Sequence, residues 1–345
     1  MISVHHYQLQ FKKAAKTSRD VLHVRDCWFI QLSDSEGNTG IGECSPLFGL
    51  SLETKDIIER QMEALQNDAS FFDNWDGRKL QLPSVRFAIE MAEKDLLGGG
   101  KRQLFQTESS HKSIPINGLI WMNTKETMLE EAKQKIASGF STIKFKIGGL
   151  DFQEELDLLT TIRSLYTAQE LEIRLDANGA FSLAEAENKL EQLAKFSIHS
   201  IEQPIKSGQW KAMSDLVKKQ IIPIALDEEL IGAFDQAQKA ELLSAINPNY
   251  IILKPTLHGG FEGCDEWIDL ARKSNIGWWA TSALESSIGL NAIAQWVNNY
   301  SPQMPQGLGT GALYANNFVS PWEVQAEHLV FTDRKWDISS LNLSL

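Results

Sequence analysis

An α/β barrel of eight parallel strands, preceded by a smaller α+β domain, is the architecture the sequence predicts, and three observations predict it. Three short runs of β-formers, Ile-Arg-Leu-Asp-Ala-Asn (173–178), Ser-Ile-Glu-Gln-Pro (200–204) and Ala-Leu-Asp-Glu-Glu (225–229), each reach an acid and then turn chemistry. That is the pattern of a buried strand delivering one carboxylate at its C-terminal end. The spacing is regular: 26 residues separate Asp176 from Glu202 and 25 separate Glu202 from Asp227, with one helical pattern in each gap. Successive βα units of a parallel sheet have this period. Before residue 113 the order differs, strands first and helices afterwards, which marks a separate domain.

The same ruler extends in both directions. Residues 142–148 (Thr-Ile-Lys-Phe-Lys-Ile-Gly) place Lys146 30 residues before Asp176, and residues 250–255 (Tyr-Ile-Ile-Leu-Lys-Pro) place Lys254 27 residues after Asp227. If the acid strands are third, fourth and fifth of eight, the lysine strands are second and sixth. Lys146 and Lys254 then face each other across the mouth, with the carboxylates on the arc between them, at the end where such barrels carry their chemistry. A lone acid at a strand end is ordinarily a helix cap, and a lone lysine a snorkelling surface residue. Five such residues in one register are a site.

These residue types fit one kind of chemistry. Asp176, Glu202 and Asp227 supply hard oxygen ligands in an open site, which suits Mg²⁺, with Mn²⁺ as the alternative, better than zinc. A carbon acid next to a carboxylate is too weak to lose its proton to a lysine unaided, and a cation on that carboxylate stabilises the enediolate. Lys146 is the expected base, with Lys144 on the same strand face as the neighbour that lowers its pKa.

Composition bounds the partners. The 345 residues are 43% hydrophobic and 23% charged, ordinary for a chain with a large core. With 33 basic and 45 acidic residues the formal charge is −12, which disfavours nucleic acid and anionic membranes. The expected partner is a small molecule; nothing in the sequence speaks to oligomeric state. Cys27, Cys44 and Cys264 are odd in number and scattered, so a disulfide framework is not expected and a reducing compartment is. No signal-peptide or transmembrane pattern is read, and a cytoplasmic location is expected.

In chain order, residues 4–11 and 27–32 alternate as strands, with a hairpin signal at 34–38. A helical region follows to about residue 97, clearest over 84–96, and Gly98, Gly99 and Gly100 stop it. The first barrel strand is expected over 114–120 and its helix over 124–138, with Asn123 as cap. After the lysine and acid units come a seventh strand (277–283), its helix (286–297) and a Gly-rich eighth strand (306–311) with no helix after it. The expected division is therefore a capping domain over 1–112, the barrel over 113–315, and a segment over 316–345 that packs back on the cap.

Lys-Phe-Lys, Asp-Ala-Asn, Glu-Gln-Pro, Asp-Glu-Glu and Leu-Lys-Pro, in this order and spacing, resemble the enolase superfamily, muconate-lactonising branch, over essentially the whole chain. The resemblance implies a (β/α)7β modified TIM barrel with an N-terminal α+β capping domain. Within the branch, residues 252–256 (Ile-Leu-Lys-Pro-Thr), 281–290 and Gly-Leu-Gly-Thr-Gly (307–311) look most like the o-succinylbenzoate synthases of menaquinone biosynthesis. That family dehydrates 2-succinyl-6-hydroxy-2,4-cyclohexadiene-1-carboxylate, a dicarboxylate, to 2-succinylbenzoate by syn elimination of water. The implied roles are proton removal by Lys146 and enediolate stabilisation by Lys254 from the opposite face. Asn178 and Arg174 are implied near the metal and base, Ser282, Ser286 and Gly309 around the succinyl group, and the capping loop over 46–51 as a cover.

The nearest alternatives are an N-succinylamino acid racemase and a dipeptide epimerase, which also need two opposed lysines. Strand eight lacks the Asp-x-Asp with which such epimerases grip an ammonium, which weakens the second. In the dehydratase branch a His-Asp pair replaces the sixth-strand lysine; His258 follows Lys254 too closely for that and reads as a loop histidine.

Overall fold

The computed structural model describes residues 1–16, 21–67, 80–105 and 113–341. The part of the expected helical region over 68–79 and the expected domain boundary at 112 lie outside the described residues.

Alternation makes the first sheet. β1 (Ile2–Lys16) and β2 (Val21–Ser33) run antiparallel, and β3 (Thr39–Cys44) returns along β2. The hairpin between them is closed by Asp34, whose carboxylate accepts the backbone N–H of Glu36 and of Asn38, both at 2.9 Å, the Asx geometry expected of such a turn. α1 (Lys55–Asn67) and α2 (Pro83–Leu97) follow, and α2 ends at Gly98.

The second sheet is parallel and curled. Its order is β5 (Gly118–Ile120), β6 (Thr142–Lys146), β7 (Glu172–Asp176), β8 (Ile198–Glu202), β9 (Ile224–Leu226), β10 (Tyr250–Leu253) and β11 (Gly277–Ala280). The expected eighth strand is reduced to two bridges, Gln306 to Ile116 and Gly307 to Thr281, which close the ring between its first and seventh strands. The first expected strand is likewise split: Ser113–Pro115 forms β4, and only Gly118–Ile120 joins the barrel.

The connecting helices α3 (Lys125–Ala137), α4 (Phe152–Leu165), α5 (Leu183–Ala194), α6 (Trp210–Lys219), α7 (Gln236–Ile246), the short α8 (Pro255–His258), α9 (Gly260–Lys273) and α10 (Ser287–Asn298) follow the strands. Thr124, one residue beyond the expected Asn123, caps α3 by accepting the Thr127 N–H. Successive strand residues point to opposite faces, so Ile143, Phe145, Ile173 and Leu175 are buried among the hydrophobic core while Lys144, Lys146, Arg174 and Asp176 line the other face.

After strand eight the chain divides its packing. Residues 314–318 lie against the cap: Tyr314 bridges Phe11, the Tyr7 hydroxyl donates to Asn316 O at 2.9 Å, and Phe318 packs on Tyr7 and Phe29. The hairpin of β12 (Trp322–Gln325) and β13 (His328–Phe331) pairs instead with β4, so this part of the C-terminal segment belongs to the barrel side and not to the cap.

Candidate active site

The register of the parallel strands brings the acids and lysines level. Lys146 pairs with Asp176 along β6 and β7, and Asp176 with Glu202 along β7 and β8. Asp227 follows β9 directly, and Lys254 follows β10. Beyond each of the first two acids the backbone turns through a left-handed residue, Asn178 (φ 44°) and Gln203 (φ 43°). These are the residues after which Asp-Ala-Asn and Glu-Gln-Pro leave the sheet.

The side chains meet in ion pairs. Lys146 Nζ donates to Asp176 Oδ2 at 2.7 Å and to Asn178 Oδ1 at 2.8 Å. Lys144 Nζ lies 2.8 Å from Glu202 Oε2 and 3.3 Å from Asp176 Oδ2, and Lys254 Nζ donates to Asp227 Oδ2. Burial alone would drive Asp176 up, but Lys146 and Lys144 outweigh it and hold this carboxyl well below the usual range. Glu202 is pushed up to about 7 by burial and by the Asp176 carboxylate, against the pull of Lys144. Burial lowers Lys144 and Lys254 less than their acid neighbours raise them, Glu202 for the first and Asp227 for the second, so both stay above the ordinary lysine value. Carboxylates, not fellow ammonium groups, set the charge of these two lysines.

Further polar residues buttress the base and the fifth-strand acid. Asn178 Nδ2 donates to Glu228 Oε1 at 3.0 Å, which turns its carbonyl oxygen toward Lys146. Gln203 accepts the N–H groups of Asp227 and Glu229, both at 3.3 Å, and donates to Glu229 Oε2 at 3.0 Å. The sequence offers a signal for Glu228 and Gln203 only in hindsight: both adjoin a predicted ligand.

As the side chains stand, the acids turn to ammonium groups, and among the described residues no three His, Cys, Asp or Glu side chains close on one point tightly enough to hold an ion. The donor set nevertheless fits a hard cation. Glu202 Oε1 and Asp227 Oδ1 are buried with no hydrogen-bond partner, a costly state for a carboxylate oxygen that an ion relieves.

A cavity of about 530 Å³ opens over this cluster, lined by Lys144, Lys146, Asp176, Asn178, Asp227 and Lys254. Leu47 and Leu50 of the cap reach it, and so do Ser282, Gly309 and Trp121, the last with its ring 5.8 Å from Lys146 Nζ. Two of the implied placements, Arg174 beside the metal and base and Ser286 at the succinyl group, are corrected. Arg174 points to the layer below: its guanidinium donates to Glu172 at 2.9 Å and to Pro305 O at 2.8 Å and lies 4.5 Å over the Trp279 ring. Being two residues before Asp176, it shares that residue's face but stands about 7 Å lower along the strand. Ser286 is spent on the cap. Its N–H donates to Glu43 Oε1 at 2.8 Å and its hydroxyl to Glu43 Oε2 at 2.5 Å, so the N-terminus of α10 already holds a carboxylate.

Comparison with known proteins agrees in both halves. Residues 127–334 match the enolase C-terminal domain-like family, and residues 1–96 match the MenC N-terminal domain. An o-succinylbenzoate synthase of Desulfotalea psychrophila is 44% identical, covering 92% of this chain and 95% of its own length. The chain belongs to the o-succinylbenzoate synthase family of the enolase superfamily. The crystal structure of MenC from the same organism superimposes with a TM-score of 0.84 at 41% identity, covering 95% of this chain and 99% of that one. The L-Ala-D/L-Glu epimerase of Bacillus subtilis superimposes with a TM-score of 0.82 over 97% of each chain at 20% identity, a likeness of fold alone. Membership makes the chain an enzyme, a lyase of menaquinone biosynthesis acting on a small molecule, and favours dehydration over the epimerase alternative. The superfamily works with a divalent metal. No helix among the described residues is long and apolar enough to cross a membrane.

Proposed function

We propose that the chain converts 2-succinyl-6-hydroxy-2,4-cyclohexadiene-1-carboxylate to 2-succinylbenzoate with Lys146 and Lys254 on opposite faces of the ring. The observation that carries this reading is the pair of lysines in one cavity, each anchored to a different strand-end carboxylate, Asp176 for Lys146 and Asp227 for Lys254. Lys146, held by Asp176 and Asn178, removes the proton next to the ring carboxylate. Once protonated, it can return that proton to the departing hydroxyl on the same face, so that water leaves and the ring becomes aromatic. Lys254 presents positive charge to the other face, where it favours the electron-rich intermediate and lies over the ring as a cation–π partner. Lys144 does not reach the substrate in this scheme; it neutralises Glu202 and Asp176 and keeps them in register.

Asp176, Glu202 and Asp227 would hold a magnesium ion, which supplies positive charge at the substrate carboxylate. Ser282, whose hydroxyl donates to Glu285 Oε2 at 2.6 Å and accepts the Leu284 N–H at 3.0 Å, and Gly309, where a Cβ would stand in ordinary contact with Ile116 and the Asn117 carbonyl oxygen at 3.6 and 3.7 Å, form the wall for the succinyl group. Leu47 and Leu50 exclude water from above. The test is to incubate the purified protein, stripped with EDTA and reloaded with Mg²⁺ or Mn²⁺, with the cyclohexadiene carboxylate and follow its ultraviolet absorbance. Decay in the reloaded parent and none in Lys146→Ala is expected. A parent that leaves the absorbance unchanged but racemises an N-succinylamino acid would overturn the proposal.

A further inference from the structure

His258, which the sequence marks as a loop histidine, closes the short helix α8 and is buried. Lys254 immediately precedes that helix, with φ −130° and ψ 99°, and Pro255 opens it. At such a junction the backbone groups of a residue have left the sheet ladder, whose last paired residue is Leu253, and need partners of their own. The Lys254 carbonyl accepts the N–H of Leu257 at 2.8 Å and of His258 at 3.0 Å. Its own N–H donates to His258 Nδ1 at 3.1 Å. One side chain and its own amide thus hold both polar groups of the Lys254 backbone.

We propose that His258 is a positioning residue for Lys254: a neutral imidazole that pins the backbone of the sixth-strand lysine, so that its ammonium stays on Asp227 and faces Lys146 across the cavity. Since Nδ1 accepts, the ring proton stands on Nε2, and Nε2 is buried without a hydrogen-bond partner. That is an expensive arrangement for a side chain whose only task is to fill space, because an apolar residue would avoid the unpaired N–H. Burial, then the ammonium groups of Lys254 and of Lys239 on α7, keep the ring far below the ordinary histidine value and therefore uncharged. A second positive charge directly behind Lys254 is avoided in this way.

The inference rests on the reading of Lys254 as a working residue, and its test keeps the two apart. Asparagine places an acceptor, Oδ1, where His258 carries Nδ1; leucine fills a similar volume with none. His258→Leu is expected to lower kcat by about tenfold or more, since small misplacements of a reacting group are amplified, with KM changed less than about threefold; His258→Asn is expected to keep at least a third of the parent kcat. Packing alone predicts the reverse order, leucine being the better tenant of a buried site, and that order would overturn the proposal. Lys254→Ala is measured alongside. If it turns over like the parent, Lys254 has no role and His258 loses its own; if it is dead while His258→Leu is normal, only His258 is mistaken. Should the leucine variant fail to fold, ¹⁵N spectra of the parent, with His258→Asn used for assignment, decide: a neutral ring protonated on Nε2 across pH 6 to 8 is expected, and a ring protonated on Nδ1, or one titrating in that range, would refute it.

Discussion

Two sets of buried acids organise this molecule, and they are held in opposite ways. At the barrel mouth Asp176, Glu202 and Asp227 face lysine ammonium groups. Between cap and barrel, Glu43 of β3 accepts the N–H groups of Ser286 and Gly289 at the start of α10, and Glu90 of α2 accepts that of Phe261 at the start of α9. There the partners are backbone donors at helix N-termini, whose partial positive charge favours a carboxylate. Glycine makes the approach possible: a Cβ at Gly289 would stand 2.9 Å from Glu43 Oε2, and one at Gly260, where φ is +75°, 2.3 Å from Glu90 Oε2. At the mouth the lysines outweigh burial on Asp176, which stays strongly acidic, while Glu202, beside the Asp176 carboxylate, is lifted to about 7 in spite of Lys144. At the seam burial outweighs the backbone donors and raises both Glu43 and Glu90, the latter to about 7 despite the added ion pair with Arg86. Charged side-chain partners suit an ion site and a proton-transfer site; backbone donors fixed at helix ends suit a clamp.

The sharpest way to break this contrast is to neutralise one acid of each kind. Glu202→Gln is expected to cut kcat by about 10³-fold or more, the scale on which a transition-state charge depends on its electrostatic partners, while the urea midpoint stays at or above that of the parent. The parallel change at the clamp, Glu43→Gln, should do the reverse, lowering the urea midpoint and leaving kcat within a few-fold. A destabilised but active Glu202→Gln would show that the mouth acids are structural and dissolve the distinction. Lys146→Ala belongs with the first class, with a loss of about 10²–10⁴-fold, the usual share of a general base.

The two sets also differ in how far they can be read from the chain. The mouth acids obey a local rule, one carboxylate at the end of each strand at a near-constant interval, so Asp176, Glu202 and Asp227, and with them Lys146 and Lys254, stand out in the sequence, and the strands bring their ends to one end of the barrel. Glu43 finds its donors 243 residues away, and Glu90 finds Phe261 171 residues away; no periodicity encodes such a pairing. For the same reason Ser286 is misplaced by sequence reasoning. A serine at a helix N-terminus reads as an anion site, and it is one, but its anion is the cap's own glutamate. Arg174 is misplaced by one layer, because strand alternation says which face a side chain takes and not which depth a ligand reaches. The eighth strand is legible as a Gly-rich run over 306–311, but its shortening is not, since its two bridges depend on neighbours at both ends of the barrel.

A second measurement sharpens the clamp itself. Removing the Glu43 side chain altogether, Glu43→Ala, strands two backbone N–H groups and the Ser286 hydroxyl in a buried seam. With an unsatisfied buried donor costing about 1–3 kcal/mol, a loss on the order of 3 kcal/mol is expected by urea unfolding. A loss below about 0.5 kcal/mol, the range of ordinary surface substitutions, would mean that the seam is held by its apolar contacts and that Glu43 contributes nothing of its own.

The smallest effect lies in the pH dependence of Glu90. Burial lifts its carboxyl from the ordinary 4.5 to about 7 in the folded chain, so between those values the folded state binds a proton that the unfolded state has lost. Stability from this group is therefore complete below about pH 4.5 and drains away as pH rises through about 7. Glu90→Gln carries an amide in place of the acid and cannot titrate. It also gives up the ion pair with Arg86, so the level of its stability is uninformative and only the slope is read. From pH 5 to pH 7.5 the parent is expected to lose on the order of 2 kcal/mol of unfolding free energy relative to Glu90→Gln, a tenfold change in proton affinity being worth about 1.4 kcal/mol. Parallel curves for the two proteins would place the Glu90 carboxylate in its charged form throughout, paired to Arg86 strongly enough to behave like Asp176, and the contrast between clamp and site would then rest on Glu43 alone.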